Sequence, residues 1–378
     1  MRVLIAEASD YRGPITVGSH ALAREFLRMG ARVCWFGPPL DARSIVSGAN
    51  DPRVRRRLRA WRSDGHQDAD DVFEYYPFTL LPVIDSPFLR SRFVGENTLR
   101  ATLPRADSIL RERGFASPDL VWLPNSRFAH AAWKLARARR SACRLSDDWA
   151  HFGRLPASLH RLHDEVVDGA DAVFVTSRRT AHALRGRRPD AVYLPNGVSE
   201  AFFEGAPSEP SVLARFPRPR VVFVGALDAW IDFDTIAAVG ERIPCASVLV
   251  FGPGEPKVRA YPANLHFLGA YPYRDLPTLL RHCDVGLVPF VKSELTHAVS
   301  PLKLFEYLAA GLPTVATRLH EIEASESPAT LCDDLPSFVR AVESVLDGDP
   351  GGRADRVAFA REHTWTKRFE AVRATLGF

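Results

Sequence analysis

A lysine and a glutamate three residues apart, Lys303 and Glu306, form the most informative chemical pair in this chain. On a helix that begins near Ser300, residues at this spacing share one face, so a cation and a carboxylate stand together close to the first turn. Free backbone N–H groups, the positive end of the helix dipole and a lysine together favour a bound phosphate group. A carboxylate one turn later can accept hydrogen bonds from sugar hydroxyls. A nucleoside diphosphate carries both groups, and the pattern therefore predicts a site for one.

The predicted helix has clear ends. Ser300 suits the N-cap and Pro301 the first helical position, while Gly311 and Pro313 end the helix before a β-type run. An ordinary surface ion pair, worth about 0.2–0.5 kcal/mol, is the alternative interpretation of its lysine and glutamate. The helix follows a predicted strand at residues 285–288 and a polar loop, which is where open α/β sheets bind ligands. This context favours the ligand site.

Two adjacent carboxylates, Asp147 and Asp148, follow another predicted strand at residues 143–146. Close carboxylates in a site largely closed to water raise the pKa of one of them toward the range of a general base, which could deprotonate a hydroxyl group. Capping of a following helical turn by Asp148 is the rival use of this pair.

The loop at residues 10–20 joins the first predicted strand to the first helix. It lies at the carboxyl end of a strand, where open α/β sheets bind their ligands. It has no G-x-G-x-x-G pattern, which argues against a nicotinamide-dependent enzyme. We select His20 as a further candidate base. The residues expected to contact an acceptor are Tyr11, Gly18 and Ser19.

Composition predicts a globular protein with two domains. The chain has 378 residues, of which 46% are hydrophobic and 25% charged, enough to bury two cores. No stretch approaches the ~20 apolar residues of a membrane span, and the apolar run at the start is too short for a signal peptide, so we expect a cytoplasmic protein. Five scattered cysteines without a C-x-x-C pair suggest neither disulfides nor zinc. No D-x-D motif ends a strand, and neither a metal nor another cofactor is predicted.

Strands and helices alternate twice along the chain, which predicts α/β domains with parallel sheets. We place the first domain at residues 1–198, a proline-rich linker at 199–219, the second domain at 220–352 and a C-terminal helix at 353–378. The predicted strands are residues 2–6, 32–36, 119–123, 143–146, 172–176, 220–224, 247–251, 265–268, 285–288 and 314–316. The predicted helices include residues 19–29, 235–242, 276–282 and 301–310.

The stretch DVGLVPFVKSELTHAVSPLKLFEYLAAGLPTVAT, residues 284–317, resembles the donor-site segment of GT-B glycosyltransferases. In particular, it is similar to bacterial enzymes that assemble exopolysaccharides and cell-surface glycans, including the xanthan glucuronosyltransferase-like group. The resemblance implies two Rossmann-like domains facing a central cleft, with the C-terminal helix crossing back to the first domain. It also implies metal-independent transfer of a sugar from a nucleotide diphosphate donor, expected to be a UDP-sugar, to a hydroxyl of a glycan or lipid-linked acceptor.

The resemblance also assigns roles to residues. In the xanthan-type enzymes an aspartate of the first domain is the base, and we choose Asp148, with Asp147 and His20 behind it. Two glycine turns at strand ends would let a donor approach the backbone closely. The nucleotide base is expected beside the second turn, although aromatic residues there could serve packing alone. The expected donor-binding residues are Gly225, Asp232, Phe251, Gly252, Tyr271, Glu294, Thr296, Ser300, Pro301, Leu302, Lys303 and Glu306.

Positive charge is concentrated in the first predicted domain, which has 31 Lys and Arg against 22 Asp and Glu, whereas the remainder has 18 against 23. Residues 53–62 contribute six arginines on a predicted helix with Trp61. Such a helix could lie on an anionic membrane or hold a phosphorylated acceptor, and a solvated helix docked through its apolar face is the alternative. No motif for nucleic acid accompanies it. The expected membrane contacts are Arg53, Arg55, Arg56, Arg57 and Arg59.

Two other functions share these features. A nucleotide-sugar epimerase on the same fold would use the donor site and need no acceptor. A non-catalytic nucleotide-sugar-binding subunit would use the carboxylates only structurally.

Overall fold

The computed structural model describes residues 1–63, 65–67, 72–146, 156–206, 208–256, 261–348 and 352–378. The chain divides into two compact units, residues 1–194 together with 371–378, and residues 195–370. The segment expected to be a linker, residues 199–219, belongs to the second unit. Its many prolines are typical of a linker, but Phe202, Leu213 and Phe216 are buried in the core of that unit.

The first unit is built on a parallel sheet. The strands described in it are β1 (Arg2–Ile5), β2 (Arg32–Phe36), β3 (His66–Gln67), β4 (Val72–Tyr75), β5 (Phe78–Thr79), β6 (Thr102–Leu103), β7 (Leu120–Pro124), β8 (Arg140–Leu145), β9 (Ala172–Val175) and β10 (Val192–Tyr193). The main sheet has the order β10-β9-β8-β7-β1-β2-β4-β3, with β3 antiparallel to β4, and β5 and β6 form a separate antiparallel pair. The helices are α1 (Gly18–Arg28), α2 (Ala42–Ser47), α3 (Pro52–Arg62), α4 (Arg92–Asn97), α5 (Ala106–Glu112), α6 (Ala129–Ala136), α7 (Ala157–Gly169) and α8 (Arg178–Leu184).

The second unit has a parallel sheet of order β13-β12-β11-β14-β15-β16. Its described strands are β11 (Arg220–Val224), β12 (Ser247–Phe251), β13 (Leu265–Phe267), β14 (Val285–Val288), β15 (Thr314–Thr317) and β16 (Thr330–Cys332). Its described helices are α9 (Phe233–Arg242), α10 (Leu276–Arg281), α11 (Glu294–His297), α12 (Leu302–Ala309), α13 (His320–Glu323), α14 (Leu335–Asp347), α15 (Arg353–Arg361) and the first part of α16 (Trp365–Leu376), which continues into the first unit from residue 371. The central strands are almost wholly apolar because helices cover both faces of a parallel sheet.

The C-terminal segment differs from the single helix expected at residues 353–378. It forms two helices, α15 and α16, which are separated around Thr364, where a β-bridge to Val198 interrupts the helical path. Residues 371–378 belong to the first unit, where the ring of Phe378 lies 6.1 Å from that of Phe26. Among the helices described, none combines the length and the apolar composition that a bilayer span requires.

Candidate functional site

Helix α12 begins one residue later than the sequence pattern predicts. Pro301 is its N-cap, and Leu302 is the first helical residue. Ser300 is not the cap, because its Oγ accepts a hydrogen bond from the Asn196 N–H at 3.2 Å, and its carbonyl oxygen accepts one from Asn196 Nδ2 at 2.6 Å. No described side chain caps this helix, so the N–H groups of its first turn keep their capacity to bind an anion.

Lys303 lies in that first turn and is partly buried. Its Nζ is 4.2 Å from the ring centre of Phe223 and 4.8 Å from that of Phe290. Burial lowers the pKa of Lys303 to about 7, although the charge of Glu306 opposes this shift. The side chain is therefore a desolvated amine that an anionic ligand would stabilise in its charged form.

Glu306 is 6% exposed, and its Oε1 accepts a hydrogen bond from the Tyr273 hydroxyl at 2.8 Å. Burial raises the pKa of Glu306 to about 7, against the opposing effects of the Tyr273 hydrogen bond and the Lys303 charge. The two charged residues form no salt bridge in the described structure. Desolvated groups whose pKa values approach neutrality are typical of functional sites, which favours the ligand interpretation over the surface ion pair.

Two glycine turns lie beside Lys303. The Gly225 N–H donates to the Phe251 carbonyl oxygen at 2.9 Å, and a Cβ at Gly225 would lie 2.6 Å from Lys303 Nζ. A Cβ at Gly252 would lie only 1.7 Å from the Gly225 carbonyl oxygen. Glycine is therefore needed at position 252, where a Cβ would meet backbone, whereas a Cβ at position 225 would displace the ammonium group of Lys303.

Phe251 and Tyr271, two of the expected donor-binding residues, contact each other. Phe251 and Tyr271 pack edge to face, with ring centres 5.4 Å apart. Phe251 is fully buried and serves the core, whereas Tyr271 is only partly buried. Of the two, Tyr271 has the side chain that a base could contact.

Two of the expected donor contacts, Asp232 and Thr296, make hydrogen bonds within the protein. Asp232 is the N-cap of α9, where Oδ1 accepts from the Thr235 N–H at 3.0 Å and Oδ2 from its hydroxyl at 2.7 Å. Thr296 is buried, and its hydroxyl donates to the Val291 carbonyl oxygen at 2.6 Å. Glu294 begins α11 with an exposed side chain. The loop before α12 thus presents Glu294 to solvent while Thr296 holds the loop together.

In the first unit, His20 is poorly placed to act as a base. It is 2% exposed; its Nδ1 accepts a hydrogen bond from the Val17 N–H, and its Nε2 lies 3.1 Å from the Asp10 carbonyl oxygen. Burial lowers the pKa of His20 to about 4. A neutral ring with both nitrogens engaged stabilises the loop at residues 10–20, where its ring also stacks on Tyr11 at 5.8 Å.

The remaining first-unit candidates divide into two groups. Ser19 is buried near the start of α1, and Gly18 is the first residue of that helix. Asp147 and Asp148 lie outside the described residues. Their predicted role remains a prediction.

Sequence reasoning missed two buried carboxylates that follow β1, Glu7 and Asp10. Burial raises the pKa of Glu7, whose Oε1 accepts from the Ala8 and Ser9 N–H groups at 2.8 and 3.2 Å. Asp10 is 4% exposed and accepts from Arg57 Nε at 2.6 Å. A carboxylate that closely follows a buried strand was the signal that could have identified Glu7.

The basic helix α3 is docked on the first unit. Trp61 Nε1 donates to the Leu103 carbonyl oxygen at 2.5 Å, and its ring lies 5.3 Å from that of Phe78. Arg56 and Arg57 both pair with the carboxylate of Asp10, and Arg56 Nη1 lies 3.7 Å from one of its oxygens. Two of the expected membrane contacts, Arg56 and Arg57, therefore face the protein. The three with exposed side chains are Arg53, Arg55 and Arg59.

In the described part of the chain, no group of three or more His, Cys, Asp or Glu side chains is arranged to hold a metal ion.

The architecture matches solved structures along its whole length. Anabaena HepE, in complex with UDP and glucose, aligns with a TM-score of 0.69 at 14% identity, covering 100% of this chain and 99% of that one. The chain has the GT-B fold. Residues 218–348, which contain the Lys303 helix and both glycine turns, match the family model described as Glycosyl transferases group 1.

Two sequence relatives cover about half of this chain. One is the "Putative teichuronic acid biosynthesis glycosyltransferase TuaH" of Bacillus subtilis, 26% identical over 226 residues, which are 55% of this chain and 57% of the relative. The other is the phosphatidyl-myo-inositol mannosyltransferase of Mycolicibacterium smegmatis, 28% identical over 235 residues, 58% of each chain. The chain thus matches somewhat over half the length of these relatives.

Proposed function

We propose that this GT-B protein is a glycosyltransferase that moves a sugar from a nucleoside diphosphate donor to a hydroxyl group of a glycan or lipid-linked acceptor. The observation that carries the proposal is the partly buried Lys303 beside Gly225, at a helix N-terminus that no described side chain caps. A UDP-sugar is the donor we expect, and the HepE structure, which contains UDP and glucose, supports this choice.

The donor chemistry follows from charge. When the bond to the sugar breaks, negative charge develops on the leaving diphosphate, and a preorganised cation with free N–H groups stabilises it. Lys303 in the first turn of α12 provides both, and we propose that no metal ion is needed. Glu306, one turn further along, would accept hydrogen bonds from hydroxyls of the ribose.

The acceptor chemistry is assigned to the first unit. A general base must remove the proton from the attacking hydroxyl, and Asp148 is our first candidate, with Asp147 second. His20 falls behind both because its ring nitrogens are engaged with the backbone.

The names of the two sequence relatives, one in teichuronic acid biosynthesis and one a phosphatidyl-myo-inositol mannosyltransferase, support a cell-surface glycan or lipid-linked acceptor. Membership of the xanthan-type group stays a prediction.

A panel of nucleotide sugars tests the function. The protein is incubated with each sugar nucleotide, with and without glycan and lipid-linked acceptors, and the released nucleoside diphosphate is quantified. A transferase releases diphosphate in step with acceptor consumption. An epimerase converts the donor without stable release, and a binding subunit does neither, so either result contradicts the proposal.

We further propose that the protein works at the inner face of the membrane as a peripheral protein. Each exposed arginine near an anionic surface contributes at most about 1 kcal/mol, so attachment through Arg53, Arg55 and Arg59 would be reversible and salt-sensitive. Trp61 is docked on Phe78 and adds no anchor.

The expected result is that wild-type protein sediments with phosphatidylserine vesicles at low salt, whereas the triple Arg→Ser variant at these three positions stays in the supernatant. Arg242 and Arg274, exposed arginines of the second unit, provide the control double variant, which should sediment like wild type. Wild-type protein that remains in the supernatant at low salt would refute the membrane proposal and favour a soluble acceptor.

A further inference from the structure

We propose that Tyr273 is a positioning residue that lets the donor site distinguish ribose from 2′-deoxyribose. The inference rests on the proposed function, since it concerns the nucleotide that the donor site would hold. Tyr273 acts through Glu306, whose carboxylate it orients, and need not touch the ligand itself.

The contact that carries the inference spans two elements. Tyr273 lies in a 3₁₀ turn, Tyr273–Asp275, that follows β13, and its hydroxyl donates to Glu306 Oε1 at 2.8 Å. The other carboxylate oxygen, Oε2, has no hydrogen-bond partner among the described residues. One oxygen is thus held by the protein, and the second is available to the hydroxyls of a ligand.

The phenol also has a fixed orientation of its own. The ring of Tyr273 packs edge to face on that of Phe202, with centres 5.5 Å apart, and Phe202 is buried. A hydroxyl held in this way fixes the position of the carboxylate it binds. Orientation matters here because a hydrogen bond to a ribose hydroxyl requires a heavy-atom separation of roughly 2.5–3.0 Å and a favourable angle.

The phenol affects the charge of Glu306 as well. Burial raises the pKa of Glu306 to about 7, and the hydrogen bond from Tyr273 opposes that shift. Without this bond the carboxyl group would take up a proton at a higher pH. A charged acceptor forms stronger hydrogen bonds than a neutral one, so the phenol keeps Glu306 in the form that recognises hydroxyls.

The test compares UDP with 2′-deoxy-UDP, and GDP with 2′-deoxy-GDP, by calorimetry at pH 7. We expect wild-type protein to prefer the ribose form of the nucleotide it binds by about tenfold, as for a charge-assisted hydrogen bond. Tyr273→Phe should lose most of this preference, chiefly through weaker binding of the ribose form. Glu306→Gln should lose it as well, and the double variant should be no worse than Glu306→Gln alone.

A pH series separates positioning from a general structural defect. In wild-type protein the ribose preference should fall as the pH drops through about 7, where Glu306 takes up a proton. In Tyr273→Phe the carboxyl group takes up its proton at a higher pH, so the preference should be low at pH 7 and recover toward pH 9. A purely structural defect would not move this midpoint. Tyr261→Phe is the matched control, because Tyr261 is an exposed tyrosine of the same unit that packs on Phe267. It should behave like wild type.

Two results overturn the inference in different ways. If wild-type protein prefers the ribose form and Tyr273→Phe keeps both the preference and its pH midpoint, Tyr273 has no positioning role while the donor site stands. If wild-type protein binds neither nucleotide pair, the proposed function fails and the role of Tyr273 fails with it.

Discussion

Raising the pH from 7 to 9 should weaken binding of UDP by about fiftyfold, because Lys303 loses its proton in the free protein. With a pKa of about 7, the protonated fraction of Lys303 falls from about one half to about one hundredth over this range. The bound diphosphate keeps the lysine charged, so the affinity follows the protonated fraction. UDP itself stays ionised above pH 7, since the second pKa of a phosphate group is about 6. Glu306 changes the result by no more than about a factor of two, because it is already half ionised at pH 7.

Calorimetry in buffers of different ionisation enthalpy measures both the affinity and the protons taken up. Wild-type protein should take up more than about half a proton per UDP at pH 9, where Glu306 is already ionised and only Lys303 changes its charge on binding. Lys303→Met should bind about a hundredfold more weakly at pH 7, near the upper end expected of a charge-assisted contact and no more tightly than wild-type protein at pH 9, and should show a flat profile above pH 7. Lys292→Met removes a lysine of the neighbouring loop that pairs with Asp333 and should follow wild type. A wild-type profile that is flat from pH 7 to 9, or a Lys303→Met profile as steep as wild type, would refute the reasoning.

Three further predictions concern stability and catalysis. Gly252→Ala should lower the free energy of unfolding in urea by at least about 2 kcal/mol, because its Cβ meets the Gly225 carbonyl oxygen, whereas Gly348→Ala, in open space, should not. The raised pKa of Glu306 makes the free energy of unfolding of wild-type protein fall as the pH rises from 4.5 to about 7. Glu306→Gln lacks this fall, so its stability relative to wild type should increase by up to about 3 kcal/mol between pH 4.5 and pH 8. Asp148→Asn should leave UDP affinity unchanged in calorimetry and lower the transfer rate by ~10², and full activity would exclude Asp148 as the base.

The central strands could be predicted to the residue. Arg220–Val224, Ser247–Phe251 and Val285–Val288 are short apolar runs, bounded by proline, glycine or charged residues, in a sheet buried on both faces. The strand Val72–Tyr75 was missed because it includes Glu74, whose charge masks the pattern; in the fold its Oε1 accepts a hydrogen bond from the Tyr76 hydroxyl.

The site was partly predictable because its main features are local. The spacing of Lys303 and Glu306 and the glycines after two strands follow from a few neighbouring residues. Ser300 was predicted wrongly as a cap because its partner, Asn196, is 104 positions away. The Tyr273 contact with Glu306 was missed for the same reason, since 33 positions separate the two residues. Long-range partners of this kind have no signal in a single sequence.

The most direct test of the donor site is a crystal structure of the protein soaked with UDP. We predict the diphosphate at the first turn of α12, with a phosphate oxygen about 2.7–2.9 Å from Lys303 Nζ and a ribose hydroxyl within hydrogen-bond distance of Glu306. Density for UDP that contacts neither Lys303 nor the N–H groups of that turn would contradict the account.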